Sequence, residues 1–313
     1  MRREKFPRTD SERAMQAGNE ATDSPKKRIF RFNPGIDRQL FPPKHPYYKL
    51  SQEAKEQVRK VVIELQSIPD IDLSKLIPER VAMNKHIAKV MIEHARQFPE
   101  DYNGGLLRVD IAKSKSAFMS NGRYLHRPGN ILTVHGATFT FGTRRGIVHF
   151  NPAKEVREAF TAIRDGKTLT FNQEYALESL WHETLHAKAK GVVNKSLWNK
   201  MTSMQMETIN QFVARHTYPD FVARFGGTAA RQAEVLEHGY GYGSWVQNFR
   251  KILEHYGIDE KEAVDALREK LLNEPYEQVG GCAVEYLKGK GVKNAEELMR
   301  NLSDSQKMFE TRL

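Results

Sequence analysis

Along the middle of the chain, apolar side chains return at helical spacing from Glu174 to Lys190, with Ala176, Leu177, Leu180 and Trp181 among them and no Gly or Pro inside the run. Thr170-Phe171-Asn172-Gln173-Glu174 reads as the start of this helix, with Thr170 or Asn172 as N-cap and the acidic Glu174 and Glu178 in its early turns. Gly191 stops it at the C′ position. A turn at Gly191-Val192-Val193-Asn194 then brings a second long helical run, Ser196 to His216, back antiparallel to the first. Upstream the pattern is that of strands. Ile131-Leu132-Thr133-Val134-His135, Ala137 to Gly142 and Gly146-Ile147-Val148-His149-Phe150 are β-rich, with a turn at Gly142-Thr143-Arg144-Arg145 and a stop at Asn151-Pro152.

The flanks are helical. Glu53 to Gln66 and Pro78 to Gln97 predict amphipathic helices, the second with Val81, Ile87, Val90, Met91 and His94 on its apolar side, and Tyr102-Asn103-Gly104-Gly105 breaks the chain after them. Beyond about residue 244 four more helices are predicted: Ser244 to His255, Asp259 to Leu272, Pro275 to Leu287 and Asn294 to Leu302, punctuated by Gly257 and Gly289-Lys290-Gly291. No solenoid repeat is present. The expected organisation is a basic, disordered arm over 1–45, a helical section over 46–105, a core over 106–245 and a helical region over 246–313. The fold class is α+β: a small antiparallel sheet followed by a long helix and a mostly helical C-terminal part.

The central helix carries His182-Glu183-Thr184-Leu185-His186. Residues i and i+4 lie one above the other on a helix, so two imidazoles at this spacing can hold one tetrahedral zinc ion at about 2.0–2.1 Å. Glu183, one residue on, is placed to take a proton from water at the metal. A catalytic zinc usually has three protein ligands. No third histidine follows at short range: Val192 stands at the spacing where one would fall, and the next histidine is His216. On the returning helix Glu207, twenty-one residues beyond His186, sits among Met204, Met206, Ile209 and Phe212, an expensive place for an unpaired carboxylate. Glu207 is therefore the expected third ligand, with Glu234 and Glu237 as alternatives.

These features resemble the gluzincin-type zinc metallopeptidases over roughly residues 145–245. The stretch Glu207-Thr208-Ile209-Asn210-Gln211-Phe212-Val213-Ala214-Arg215-His216-Thr217-Tyr218 is also similar to metallopeptidase-like domains of phage head-morphogenesis and mobile-element proteins. The resemblance implies a zincin-like fold, Zn²⁺ on His182, His186 and Glu207, Glu183 as general base, and a sheet edge that holds an extended peptide or protein substrate. One position departs from it. Thermolysin-like members have an aspartate four residues after the third ligand, where this chain has Gln211 beside Asn210. An amide orients an imidazole less firmly than a carboxylate does.

Oxyanion stabilisers are sought downstream among Arg215, His216, Tyr218, His238, Tyr240 and Tyr242, with His216 and Tyr240 put forward as catalytic. Glu237-His238-Gly239-Tyr240-Gly241-Tyr242-Gly243 is a glycine-rich aromatic loop whose backbone can approach a ligand closely. His149 reads as a surface residue of its strand. His86 and His94 lack a carboxylate at metal spacing and read as structural.

Composition narrows the setting. Mean hydropathy is −0.63, and no apolar run approaches the roughly 20 residues of a membrane span. Met1-Arg2-Arg3-Glu4-Lys5 lacks the apolar stretch of a secretory signal, and the single Cys282 fits a reducing compartment as a buried thiol. The expected location is the cytoplasm or a phage particle. The net charge of +10, part of it in Lys26-Lys27-Arg28 and Arg31, suits non-specific contact with nucleic acid through the arm. Two other functions compete with the peptidase: a non-enzymatic phage or mobile-element protein with a zincin-like fold, and a basic nucleic-acid-associated protein.

Overall fold

The computed structural model describes residues 78–112, 118–123, 130–143 and 146–310. The basic arm and the helix expected over Glu53 to Gln66 lie outside the described residues. The architecture is α+β, a small sheet region against a mostly helical body. In order the elements are α1 (Pro78–Gln97), β1 (Leu106–Ala112), β2 (Met119–Arg123), β3 (Asn130–His135), β4 (Phe139–Thr143), β5 (Gly146–Phe150), α2 (Pro152–Arg164), α3 (Phe171–Lys188), α4 (Lys200–Ala223), α5 (Gln232–His238), α6 (Gly243–His255), α7 (Glu260–Asn273), α8 (Tyr276–Gly289), α9 (Ala295–Arg300) and α10 (Ser305–Glu310).

The strands differ from the single antiparallel sheet that was expected. β3 is the centre of a mixed sheet of order β1-β3-β2, parallel to β1 and antiparallel to β2, while β4 and β5 form a separate hairpin. The chain leaves the first sheet at Gly136, whose amide bonds Ala112 O at 2.9 Å and whose missing side chain would stand 3.0 Å from Ile111. The hairpin instead joins the body through rings: Phe118 meets Phe139 and Phe150 at 4.8 and 5.1 Å, and Phe150 meets Tyr175 of α3 at 5.3 Å.

α3 and α4 are the axis of the helical body. Packed on α4 are α6, α7 and α8, while α2 covers another side of α3. One hydrophobic cluster runs from Ile87 to Met308, with Leu177, Leu180, Trp181, Phe212 and Phe221 at its middle. α3 starts where Thr170 accepts a bond from Gln173 N while the Gln173 side chain bonds back to Thr170 N, a reciprocal capping box. Thr170→Ala is expected to lower stability by about 1 kcal/mol in urea unfolding, and an unchanged midpoint would show that the cap contributes nothing.

α4 begins four residues later than its pattern suggests, at Lys200, because Asn199 and Thr202 form a second capping box. It also runs past His216 and through Pro219 to Ala223. Proline has no N–H for the carbonyl four residues back. Here the Gln232 side chain supplies the donor, reaching Arg215 O at 3.3 Å and His216 O at 2.9 Å. α8 comes close to α4 at Gly280, where a Cβ would collide with Gln205. Cys282, expected to be buried, is only half-buried beside α7, and burial raises its thiol pKa.

Candidate metal centre

Every fourth residue of α3 on one face is ionisable: Glu174, Glu178, His182 and His186, all but His186 almost wholly out of water. The antiparallel α4 faces this row with Glu207, Gln211, Arg215 and Tyr218. Spacing of three or four residues on both helices makes the two rows meet. Several of these side chains pair across the seam. Tyr218 donates its hydroxyl to Glu174 at 2.7 Å, and Gln211 donates to Glu178. Arg215 Nε lies 3.9 Å from Glu178, and Glu207 meets both histidines.

At the His186 end three ligand atoms converge. His182 Nε2 and His186 Nε2 are 3.1 Å apart, and Glu207 Oε2 is 3.2 and 3.3 Å from them. Bonds of about 2.0–2.1 Å in tetrahedral geometry separate ligand atoms by about 3.3 Å, so this triangle fits one face of a zinc site. The donor set fits too. Three lone-pair atoms in mutual contact repel one another unless a cation or a proton lies among them. Burial would raise the Glu207 carboxyl, but His186 and His182 outweigh it and hold Glu207 far below the usual carboxylate range. Burial also lowers the pKa of His182, favouring the neutral imidazole that binds metals, although Glu207 pulls the other way.

The surrounding groups hold the triangle in place. His186 Nδ1 lies 2.8 Å from the hydroxyl of Tyr276, at the start of α8. Asn210 donates to His182 O at 3.2 Å and lies 2.9 Å from His186 Nε2. Gln211 stands where the resemblance placed an imidazole-orienting aspartate, but its amide turns to Glu178 instead. His182 Nδ1 is buried with no hydrogen-bond partner among the described residues. Burial pushes the Glu178 carboxyl up to about 7, against the pull of Arg215, Ser179 and Gln211. Glu183 is buried beside His182 on α3 and is not a member of the ligand triangle.

Of the oxyanion candidates, only Tyr242 packs against a residue of the triangle. Its ring stacks on that of His182 at 5.9 Å and 21°, and its φ of 52° is a left-handed conformation uncommon for a large side chain. Tyr240, put forward as catalytic, is elsewhere: its hydroxyl donates to Asn172 at 2.8 Å in the first turn of α3, and its ring packs on Phe141 and Tyr175. Asn172 lies ten residues before His182, roughly 15 Å along the helix. His216, the other candidate, is nine residues past Glu207, half a turn round the helix and roughly 13 Å along it. It sits 3.0 Å from Glu260 of α7 and does not join the cluster.

Arg215 is wholly buried and braces the loop, donating to Gly239 O at 3.0 Å and Gly241 O at 2.7 Å. His238 is exposed. The alternative ligands are placed elsewhere, Glu234 with Arg231 at 3.0 Å and Glu237 with Arg250 at 3.4 Å. His149 is exposed and bonds Thr140 at 3.0 Å. His94 is buried against Tyr102 and the Asp101 carboxylate, and burial lowers its pKa to about 4, consistent with a structural role. Tyr276, ninety residues from His186, was missed because nothing in local spacing marks a partner from a distant helix.

Comparison of the chain with protein-family models, with curated proteins and with solved structures finds no match. No helix among the described residues is long and apolar enough to cross a membrane.

Proposed function

We propose that this protein is a zinc-dependent peptidase of the gluzincin type, with His182, His186 and Glu207 as the metal ligands and Glu183 as the general base. The observation that carries the reading is the triangle of His182 Nε2, His186 Nε2 and Glu207 Oε2, with edges of 3.1 to 3.3 Å in a buried seam. A bound zinc ion supplies Lewis acidity, which polarises a peptide carbonyl and makes water easier to deprotonate. Glu183 takes a proton from the water whose oxygen bonds to the carbonyl carbon. As the C–N bond breaks, Glu183 returns that proton to the departing nitrogen, leaving a carboxylic acid and an amine. Tyr242, stacked on His182, is the residue assigned to the developing negative oxygen.

Elemental analysis of the purified protein tests the ligand set. One zinc per chain is expected in the wild type, with loss in both His186→Ala and Glu207→Ala. Zinc retained by Glu207→Ala would remove the third ligand, and no zinc in the reconstituted wild type would end the reading. Zinc with no cleavage of any peptide in a library would leave a metal-binding protein that is not an enzyme.

A further inference from the structure

We propose that Tyr276 is a positioning residue of this centre: its hydroxyl sets the tautomer of His186, so that the Nε2 lone pair faces Glu207 and His182. The assignment rests on the metal-centre reading for its consequence, but on two independent hydrogen-bond networks for its content.

The first runs through Tyr276. Its hydroxyl lies 3.1 Å from His186 O and 2.8 Å from His186 Nδ1. His186 O is in the last turn of α3, where carbonyls run out of helical N–H partners. The Tyr276 O–H donates to that carbonyl, and its oxygen is left to accept a proton from the ring. Nδ1 is then the protonated nitrogen and Nε2 the bare one. The second network reaches the same result from the other side. The amide nitrogen of Asn210, 3.2 Å from His182 O, also lies 2.9 Å from His186 Nε2. Glu207 Oε2, 3.3 Å from the same nitrogen, would draw a proton onto it, but the shorter contact is that of the Asn210 donor, with which Nε2 is compatible only as an acceptor. When that lone pair is taken by a metal, Asn210 keeps its bond to His182 O.

The Tyr276 ring is itself held in place. It lies 6.0 Å from Trp198, and its backbone N–H bonds Gly191 O at 3.0 Å. The next residue, Glu277, accepts from Val193 N at 3.3 Å and Asn194 N at 2.5 Å. The start of α8 therefore fixes both the ring of His186 and the chain that leaves it. A metal-binding histidine needs its other nitrogen anchored to hold the ring orientation, a task usually met by a carboxylate, carbonyl or water. Here a tyrosine ninety residues away meets it.

The test reads the imidazole directly. Long-range proton–nitrogen correlation spectra of the metal-free wild type are expected to show His186 protonated at Nδ1. Tyr276→Phe is expected to lose that preference and to bind zinc roughly 10–100-fold more weakly in chelator competition, with far-ultraviolet circular dichroism unchanged. An Nε2-protonated His186 in the wild type overturns the proposal without any variant, which keeps it decidable if Tyr276→Phe misfolds. So does a Tyr276→Phe protein with the wild-type tautomer and zinc affinity within twofold of wild type. Hydrolysis is not among the readouts. A protein that binds zinc but cuts no peptide would sink the peptidase reading and leave Tyr276 in this role, and a protein that binds no zinc is still judged by the tautomer of the wild type.

Discussion

Glu183→Gln is expected to slow peptide hydrolysis by roughly 10²–10⁴-fold while zinc content stays at one per chain. The substitution keeps the size and shape of the side chain and removes only its capacity to take up a proton. Glu183 lies outside the His182–His186–Glu207 triangle, so the substitution leaves the three proposed donors in place. At about 1.4 kcal/mol per factor of ten, the loss corresponds to about 3–6 kcal/mol of transition-state stabilisation. The comparison to make is turnover of a peptide library by zinc-loaded wild type and variant at equal metal content. Turnover by Glu183→Gln within a few-fold of wild type would remove the general base from the mechanism. Loss of zinc from the variant would instead make Glu183 part of the coordination.

The largest effect on stability is expected from Arg215→Met, which should cost about 3–5 kcal/mol in denaturant unfolding. Arg215 and Glu178 are both wholly buried, and the guanidinium also donates to Gly239 O and Gly241 O. Its removal leaves a buried carboxyl without its cation and two loop carbonyls without these donors. The cost also depends on pH. The Glu178 carboxyl already lies at about 7 in the wild type, above its ordinary 4.5, and without Arg215 it rises further. A carboxyl raised in the folded state binds a proton that the unfolded chain releases, so its contribution is present below about 4.5 and is lost as pH rises through the folded value. The deficit of Arg215→Met should therefore be smaller at pH values below about 4.5 than well above 7. A deficit under about 1 kcal/mol at all pH values would mean that the pair is not a structural anchor. Because Arg215 holds the loop that carries Tyr242, the variant should also lose the Tyr242–His182 stacking.

Several elements missed from the pattern did carry signals. Asn151-Pro152 reads as a strand stop, yet the same pair is the N-cap and first residue of α2, with Asn151 accepting from Lys154 N at 3.0 Å. Val109 and Ile111 alternate with Arg108 and Asp110 in β1, a period of two, and the two charged residues pair at 2.8 Å. The position of Pro219 inside α4 was not legible, since the donor for the Arg215 carbonyl that it leaves unbonded comes from Gln232 on the next helix.

The amino-acid order by itself determined the helix pair and its candidate ligands. Four-residue spacing puts His182 and His186 on one face, the break near Gly191 separates two long helices, and a carboxylate among methionines needs a partner. All of these follow from local periodicity and the cost of burying charge. The connection itself differs from the expected turn at 191–194: α3 stops at Lys188 with Ala189 as its cap, and the chain between the helices runs over 189–199. Tertiary structure alone decided which side chains complete the centre. Tyr240 and Tyr242 are two residues apart in one glycine loop, and only the direction in which Arg215 and Tyr175 hold that backbone sends Tyr242 to His182 and Tyr240 to Asn172. Tyr276 reaches His186 because α8 packs closely on α4 at Gly280. Contacts between residues far apart in the chain depend on how whole helices pack, and short-range spacing holds no information about that.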